Sequence, residues 1–349
     1  MVLIMNDLHT ACYESKFDRV KHLLESNAFN IDKPGGITTG RTPLMYSCMQ
    51  NNVAIVELLV QSGASLDAKV FTGRGDGLTT ALKIATSRGN YAMIQVLLRG
   101  GATVETGKET ALHCAARGRK VGPLEMLIKA GANPGKSDHM GRVPLDIAAI
   151  EGRSVLVKWM LLHLGIARCG GQSEGRDALR HAAECGRVEI MQLLTERKVF
   201  SARDLGEALH RAMDNFQENS VKFLLEEHPT QVRHVLPHVL MRAVGGYKNG
   251  CASSRLTRRL MDAGAKTTKT LLDVVVRLRE KETEDKHLKR LDDIHRLLRQ
   301  EDAVHSRSFL WHLPAATPAV VVRPVRRSRD ATSRVVMGAL LRYNRKTIP

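Results

Sequence analysis

The sequence predicts an all-α solenoid of stacked helix–turn–helix units, with long fingers between units and a basic C-terminal tail. Three observations lead there. A phrase built around one Leu recurs along the chain roughly every 33 residues, the range of helical repeat proteins. An apolar doublet follows each copy and marks a second helix. Only 4% of residues are aromatic while 43% are hydrophobic, which favours helices packed on helices over a β-sandwich.

The phrase is plainest in "GRTPLMYSC" from residue 40, "LTTALKIAT" from 78, "KETALHCAA" from 108, "GRVPLDIAA" from 141, "GRDALRHAA" from 175 and "LGEALHRAM" from 205. Weaker copies are "MNDLHTAC" from 5, "PHVLMRAV" from 237 and "KTLLDVVV" from 269. The shared Leu falls at 8, 44, 82, 112, 145, 179, 209, 240 and 272, and a small residue follows three positions later in all but the last copy, where Val275 stands. A Leu and a small residue three apart lie on one helical face, and the small one lets a neighbouring helix come close. Thr42, Thr80 and Thr110 stand where an N-cap should accept free backbone N–H groups. Pro43 and Pro144 stand in the first turn, where a missing N–H costs nothing.

The second helix of each unit carries the doublet, at a nearly constant offset from the shared Leu: Leu23-Leu24, Leu58-Leu59, Leu97-Leu98, Leu127-Ile128, Trp159-Met160, Leu193-Leu194 and Phe223-Leu224. Glycines then close several units, at 63, 101, 131, 165 and 264, ready for the left-handed conformation that ends a helix. One such pair of helices cannot bury its own apolar face, so pairs must stack. Beyond residue 228 the doublets drift to Leu260-Met261 and Leu297-Leu298, after the inserts "GGYKNGC" and "REKETEDK".

This pattern resembles the ankyrin repeat, with its T-P-L-H-x-A phrase, leucine doublet and closing G-A. The likeness runs from about residue 3 to 299 and is strongest from 40 to 195. It implies a repeat array over residues 1–300 and a protein-binding scaffold that uses a concave surface of finger tips and first helices. It also implies that His9, His113 and His210, at the H of the phrase, bridge backbone groups. The contacts expected from it are Tyr46, Gln50, Arg88, Arg117 and Arg119 on first helices, with Phe71 and Arg74 on a finger.

That finger, "VFTGRGDG" from residue 70, falls between Leu44 and Leu82, the widest spacing in the series. A phosphate loop would need Lys-Ser/Thr behind it, and Leu78-Thr79-Thr80 stands there instead. The Arg74-Gly75-Asp76 tripeptide would need an extracellular setting for adhesion, and nothing else in the sequence points to one. An enlarged inter-repeat finger is the reading that fits.

Catalytic and cofactor motifs are missing: no nucleophile elbow, no kinase signature and no close cysteine pair. The expectation is therefore no enzyme, no cofactor and no metal. The six cysteines read as small core residues of an intracellular protein, cytoplasmic or nuclear. No apolar run approaches the ~20 residues of a membrane span.

The formal charge is +17, unevenly spread. Residues 303–349 hold nine Arg or Lys against one acid, Asp330, and the stretch "HLPAATPAVVVRPVRRSRDATSR" within them has three prolines and almost no helical periodicity. Residues 301–349 are expected to be a disordered Arg-rich tail. Within it Arg323, Arg326, Arg327 and Arg329 have the density of a nuclear import signal, a nucleic-acid contact or simple solubilising charge. The partners expected are other proteins, with nucleic acid a possibility only through the tail. A nuclear transcriptional co-regulator is the alternative function.

Overall fold

The structure is a computed structural model that describes residues 7–26, 30–35, 40–71, 78–245, 254–265, 269–281, 288–289 and 291–300. All of these lie in the first of the two units into which the chain divides, Met1–Asp302. The tail, with Arg323, Arg326, Arg327 and Arg329, lies outside the described residues.

First helices form where the phrase predicts them: α1 (Asp7–Tyr13), α3 (Pro43–Met49), α5 (Ala81–Arg88), α7 (Ala111–Arg117) and α9 (Pro144–Ile150). Each is followed by its second helix: α2 (Phe17–Glu25), α4 (Val53–Gln61), α6 (Tyr91–Arg99), α8 (Val121–Lys129) and α10 (Ser154–His163). The series continues with α12 (Arg176–Glu184) and α13 (Val188–Arg197), α14 (Ala202–Asp214) and α15 (Glu218–Glu227), and α17 (Leu236–Gly245) and α18 (Ser254–Asp262). Helix α19 (Lys269–Lys281) and a helical stretch over residues 291–300 follow.

Contacts run along two layers. First helices touch in the order α1, α3, α5, α7, α9, α12, α14, α17. Second helices touch in the order α2, α4, α6, α8, α10, α13, α15, α18. Between the layers sits one continuous core. Eight of the nine shared leucines, all but Leu272, are buried in it, as are all the residues three positions on, from Ala11 to Val275. From the second unit to the seventh, the buried member of the doublet (Leu59, Leu97, Leu127, Met160, Leu194, Leu224) keeps one fixed offset from the shared Leu.

Local chemistry sets the boundaries. The Thr42 and Thr80 hydroxyls accept the Met45 and Lys83 backbone N–H groups, at 3.4 and 3.3 Å. Asn52 and Asn90 cap the second helices α4 and α6 in the same way. Gly63, Gly101 and Gly131 hold positive φ, and the Ala after each donates its N–H to the carbonyl of Leu59, Leu97 or Leu127. Acidic side chains then tie unit to unit: Asp32 accepts the Ser65 N–H, Asp67 that of Thr103, and Glu105 that of Asn133.

Two departures from the sequence reading stand out. Ahead of α12 and α17 the chain inserts short helices, α11 (Ile166–Cys169) and α16 (Pro229–Val232), anchored by buried Cys169 and Val232. In α19 the inward face is carried by Leu271 and Val275, four apart, so Leu272 is only partly buried. The shared-Leu register is thus displaced by one residue in the last unit. Among the described residues, no helix is long and apolar enough to cross a membrane.

Candidate functional site

A groove of about 900 Å³ opens between the fingers and first helices of consecutive units. Its described charged lining is Arg41, Lys83, Arg88, Arg117 and Arg142 against one acid, Glu109. Met49, Leu78 and Ile84 supply apolar lining, and Met140, in a finger turn, is 64% exposed.

The fingers set the rim. Residues Val70–Phe71 pair antiparallel with Leu78–Thr79, with Val70 opposite Thr79, so the enlarged finger rises from a short two-stranded base. Its tip, with Arg74, lies outside the described residues, as does the side chain of Phe71. The preceding finger closes with a Gly35–Arg41 bridge. The finger before α9 is a tight turn in which the Asp138 carboxylate accepts the Met140 and Arg142 backbone N–H groups and both Nε and Nη2 of Arg142, at 3.0 and 2.8 Å. Burial opposes the charge of Asp138, but these bonds outweigh it and hold its carboxyl below the usual carboxylate range.

The groove wall is built from first helices. Lys83 is almost fully buried and turns its Nζ to the Leu78 carbonyl, 2.7 Å away, which ties α5 to the finger. Arg117 pairs with Glu109, and this contact outweighs burial to keep the guanidinium charged. The Cys114 thiol beside them is pushed up by burial, with Glu109 adding to the effect. Arg88, at the end of α5, is exposed and makes no ion pair among the described residues.

The expected contacts separate into groups. Arg88 and Arg117 line the groove. Gln50 and Arg119 are exposed just beyond the ends of their helices but outside the lining. Tyr46 is corrected: its side chain is 3% exposed, with its ring edge-on to His9 and Tyr13, so it packs α1 against α3 and offers no surface. The residue reading missed Arg41, Lys83, Glu109, Met140 and Arg142. Arg41 and Arg142 hold the same register, the Arg of "GRTPL" and "GRVPL", and that repetition was the available signal.

The histidines of the phrase behave as bridges where bonds are described. Nδ1 of His113 accepts the Thr110 N–H at 3.1 Å, and Nε2 donates to the Arg142 carbonyl at 3.1 Å, linking one unit to the next finger. His9 reaches the Lys33 carbonyl at 2.7 Å. His210 has no such bond among the described residues.

A family comparison agrees with this architecture. A family model of ankyrin repeats matches in three copies, over residues 8–108, 82–168 and 145–234. The ankyrin repeat and KH domain-containing protein mask-1 of Caenorhabditis elegans is 31% identical over 217 residues, 59% of this chain and 8% of that protein. Inversin of Homo sapiens is 25% identical over 235 residues, 55% of this chain and 21% of inversin. The crystal structure of the ankyrin repeat domain of Bcl-3 has 24% identity and a TM-score of 0.48, over 58% of this chain and 90% of that one. This chain thus spans a small part of either curated relative, and by the three matched copies it belongs to the ankyrin-repeat family.

Proposed function

We propose that this chain is a non-catalytic protein-interaction scaffold that binds through the concave surface formed by its fingers and first helices. Ankyrin repeats generally mediate protein–protein interaction. The observation that carries the reading here is the groove itself: a site of about 900 Å³ lined from several units, with apolar lining and a charged rim. Interfaces of this kind concentrate binding energy in a few Arg and apolar anchors, so Arg88, Arg117 and Met140 are the residues to test. Gln50, Arg119, Phe71 and Arg74 extend the same face. The array occupies residues 1–300, and residues 301–349 form the separate basic tail.

The test is a pull-down with full-length protein and a variant carrying Arg88→Ala, Arg117→Ala and Met140→Ala together. Loss of the partners recovered by the parent chain supports the reading. Recovery of the same partners at the same yield rejects this surface.

The alternative is a nuclear co-regulator whose tail supplies import or nucleic-acid contact. What favours it is the tail's charge, nine Arg or Lys against one acid. A fluorescent fusion with Arg326, Arg327 and Arg329 changed to Ala should then leave the nucleus, and an unchanged nuclear signal removes the import role. A nucleic-acid role requires affinity that falls steeply with salt.

A further inference from the structure

We infer that the groove takes an acidic linear segment of a partner protein, with an apolar side chain seated among the acids. This rests on the groove being the protein-contacting surface. The charge pattern carries it. Of the five cations in the lining, Arg117 is matched by Glu109 and Arg142 by Asp138, while Arg88 has no acid among the described residues. Nε of Arg41 is buried and meets no acceptor among the described residues. Arg88 is exposed and Arg41 lines the groove, and neither guanidinium is paired with an acid among the described residues, so an incoming carboxylate can pair with them.

A second groove on the same array shows the contrast. Between α12 and α14 its lining holds four cations and four acids. Those acids are engaged: Asp177 and Glu207 pair with Arg180, Glu174 with Lys198 at 2.6 Å, and Glu207 also with Arg203 at 3.3 Å. The array neutralises its lining there and leaves it cationic between α3 and α9.

Charge also selects among occupants. The chain's own tail is strongly basic and the whole chain carries +17, so neither the tail nor a second copy complements this lining. Nucleic acid would meet the cations, but in the described lining His139 alone offers a ring on which a base could stack. Glu109 in the groove also opposes an unbroken run of phosphates. Exposed Met140, with Met49 and Ile84 in the same lining, suits an aliphatic side chain instead, since thioethers adapt to varied shapes.

The experiment is a random short-peptide display selection on the full chain, in parallel with Arg88→Glu and Arg41→Gln. Arg88 is exposed, so Arg88→Glu leaves the fold in place even if Arg41→Gln lowers its stability. Selected peptides are resynthesised with their acids intact, changed to amides or changed to phosphoserine, and titrated by fluorescence anisotropy. The expected result is peptides enriched in Asp and Glu around an aliphatic residue, with affinity about tenfold lower for Arg88→Glu and for the amide forms. Affinity should also fall between about 50 and 200 mM salt. Tighter binding of the phosphoserine forms assigns the natural acids to phosphorylation; tighter binding of the carboxylate forms assigns them to Asp and Glu. Groove-dependent peptides with no excess of acids overturn the inference but keep the groove as a protein site. Peptides that bind Arg88→Glu and Arg41→Gln as well as the parent remove both. A labelled oligouridine that displaces the acidic peptides with higher affinity assigns the groove to nucleic acid and overturns the inference.

Discussion

Asp146 occupies the register that holds His113 in the preceding unit, and it shows how one position can be filled by different chemistry. Its Oδ2 accepts the Val143 N–H at 2.8 Å, closing the first turn of α9. Its Oδ1 is buried without a partner among the described residues. Burial pushes its pKa up to about 7; Asp177 and Asp138 add to the rise, while the Val143 bond and Arg180 oppose it. Between the unfolded value of ~3.9 and about 7, the folded state holds a proton that the unfolded state has released. Stability contributed here is therefore lost as pH rises through that window. Asp146→Asn keeps the backbone bond and needs no proton. It should match the parent near pH ~3.5 and exceed it by a margin that grows to on the order of a few kcal/mol at pH ~8. Thermal melts of both proteins across that range check this, and parallel curves would show that Asp146 is not titrating there. His113 acts with the opposite sign. Burial lowers its pKa, so its contribution is lost on acidification, and the paired comparison separates the two.

At the scale of the element, each unit is stabilised by its shared Leu in the first helix and by the buried member of the doublet in the second. Leu112→Ala and Leu145→Ala remove fully buried side chains from central units and should each cost roughly 2 to 5 kcal/mol. Leu272→Ala should cost less, because α19 turns Leu271 inward instead, and Leu271→Ala should be the more damaging of that pair. Denaturant titration of the four variants decides it; equal losses at 112, 145 and 272 would contradict the ranking. The strong repeats were legible because caps, leucines and closing glycines agree within each unit, as with Thr80, Leu82 and Gly101. The last unit was not, because Leu271 and Leu272 are adjacent and only packing distinguishes which one faces inward. Tyr46 misled for a related reason. Spacing along α3 placed it on a first helix, but only the neighbouring His9 and Tyr13 rings reveal that its side is closed. The groove was legible in part: Arg88 and Arg117 follow from helix position, whereas Arg41 and Arg142 join them only when fingers from separate units come together.

Across the whole array, stability is close to a sum of unit terms and neighbour interfaces, so it need not be uniform. Buried polar atoms without hydrogen-bond partners show where it is weak. Of the eight such atoms among the described residues, five lie at or beyond residue 210: His210 Nδ1, Ser220 Oγ, His228 Nε2, Thr257 Oγ1 and Arg259 Nη1. Each carries a desolvation penalty of about 1 to 3 kcal/mol. The central units instead have filled caps, acid-to-backbone ties between neighbours and the His113 bridge. Opening should therefore begin at the C-terminal units and spare α5 through α8. Hydrogen exchange followed by mass spectrometry should find amides of α17 and α18 exchanging at least about tenfold faster than those of α5 and α7. Thr257→Val, which removes the orphaned hydroxyl at nearly constant volume, should narrow that gap by slowing α18. Uniform protection from α3 to α18, or a Thr257→Val chain that exchanges faster, would mean that the unpaired polar groups do not set the order of opening.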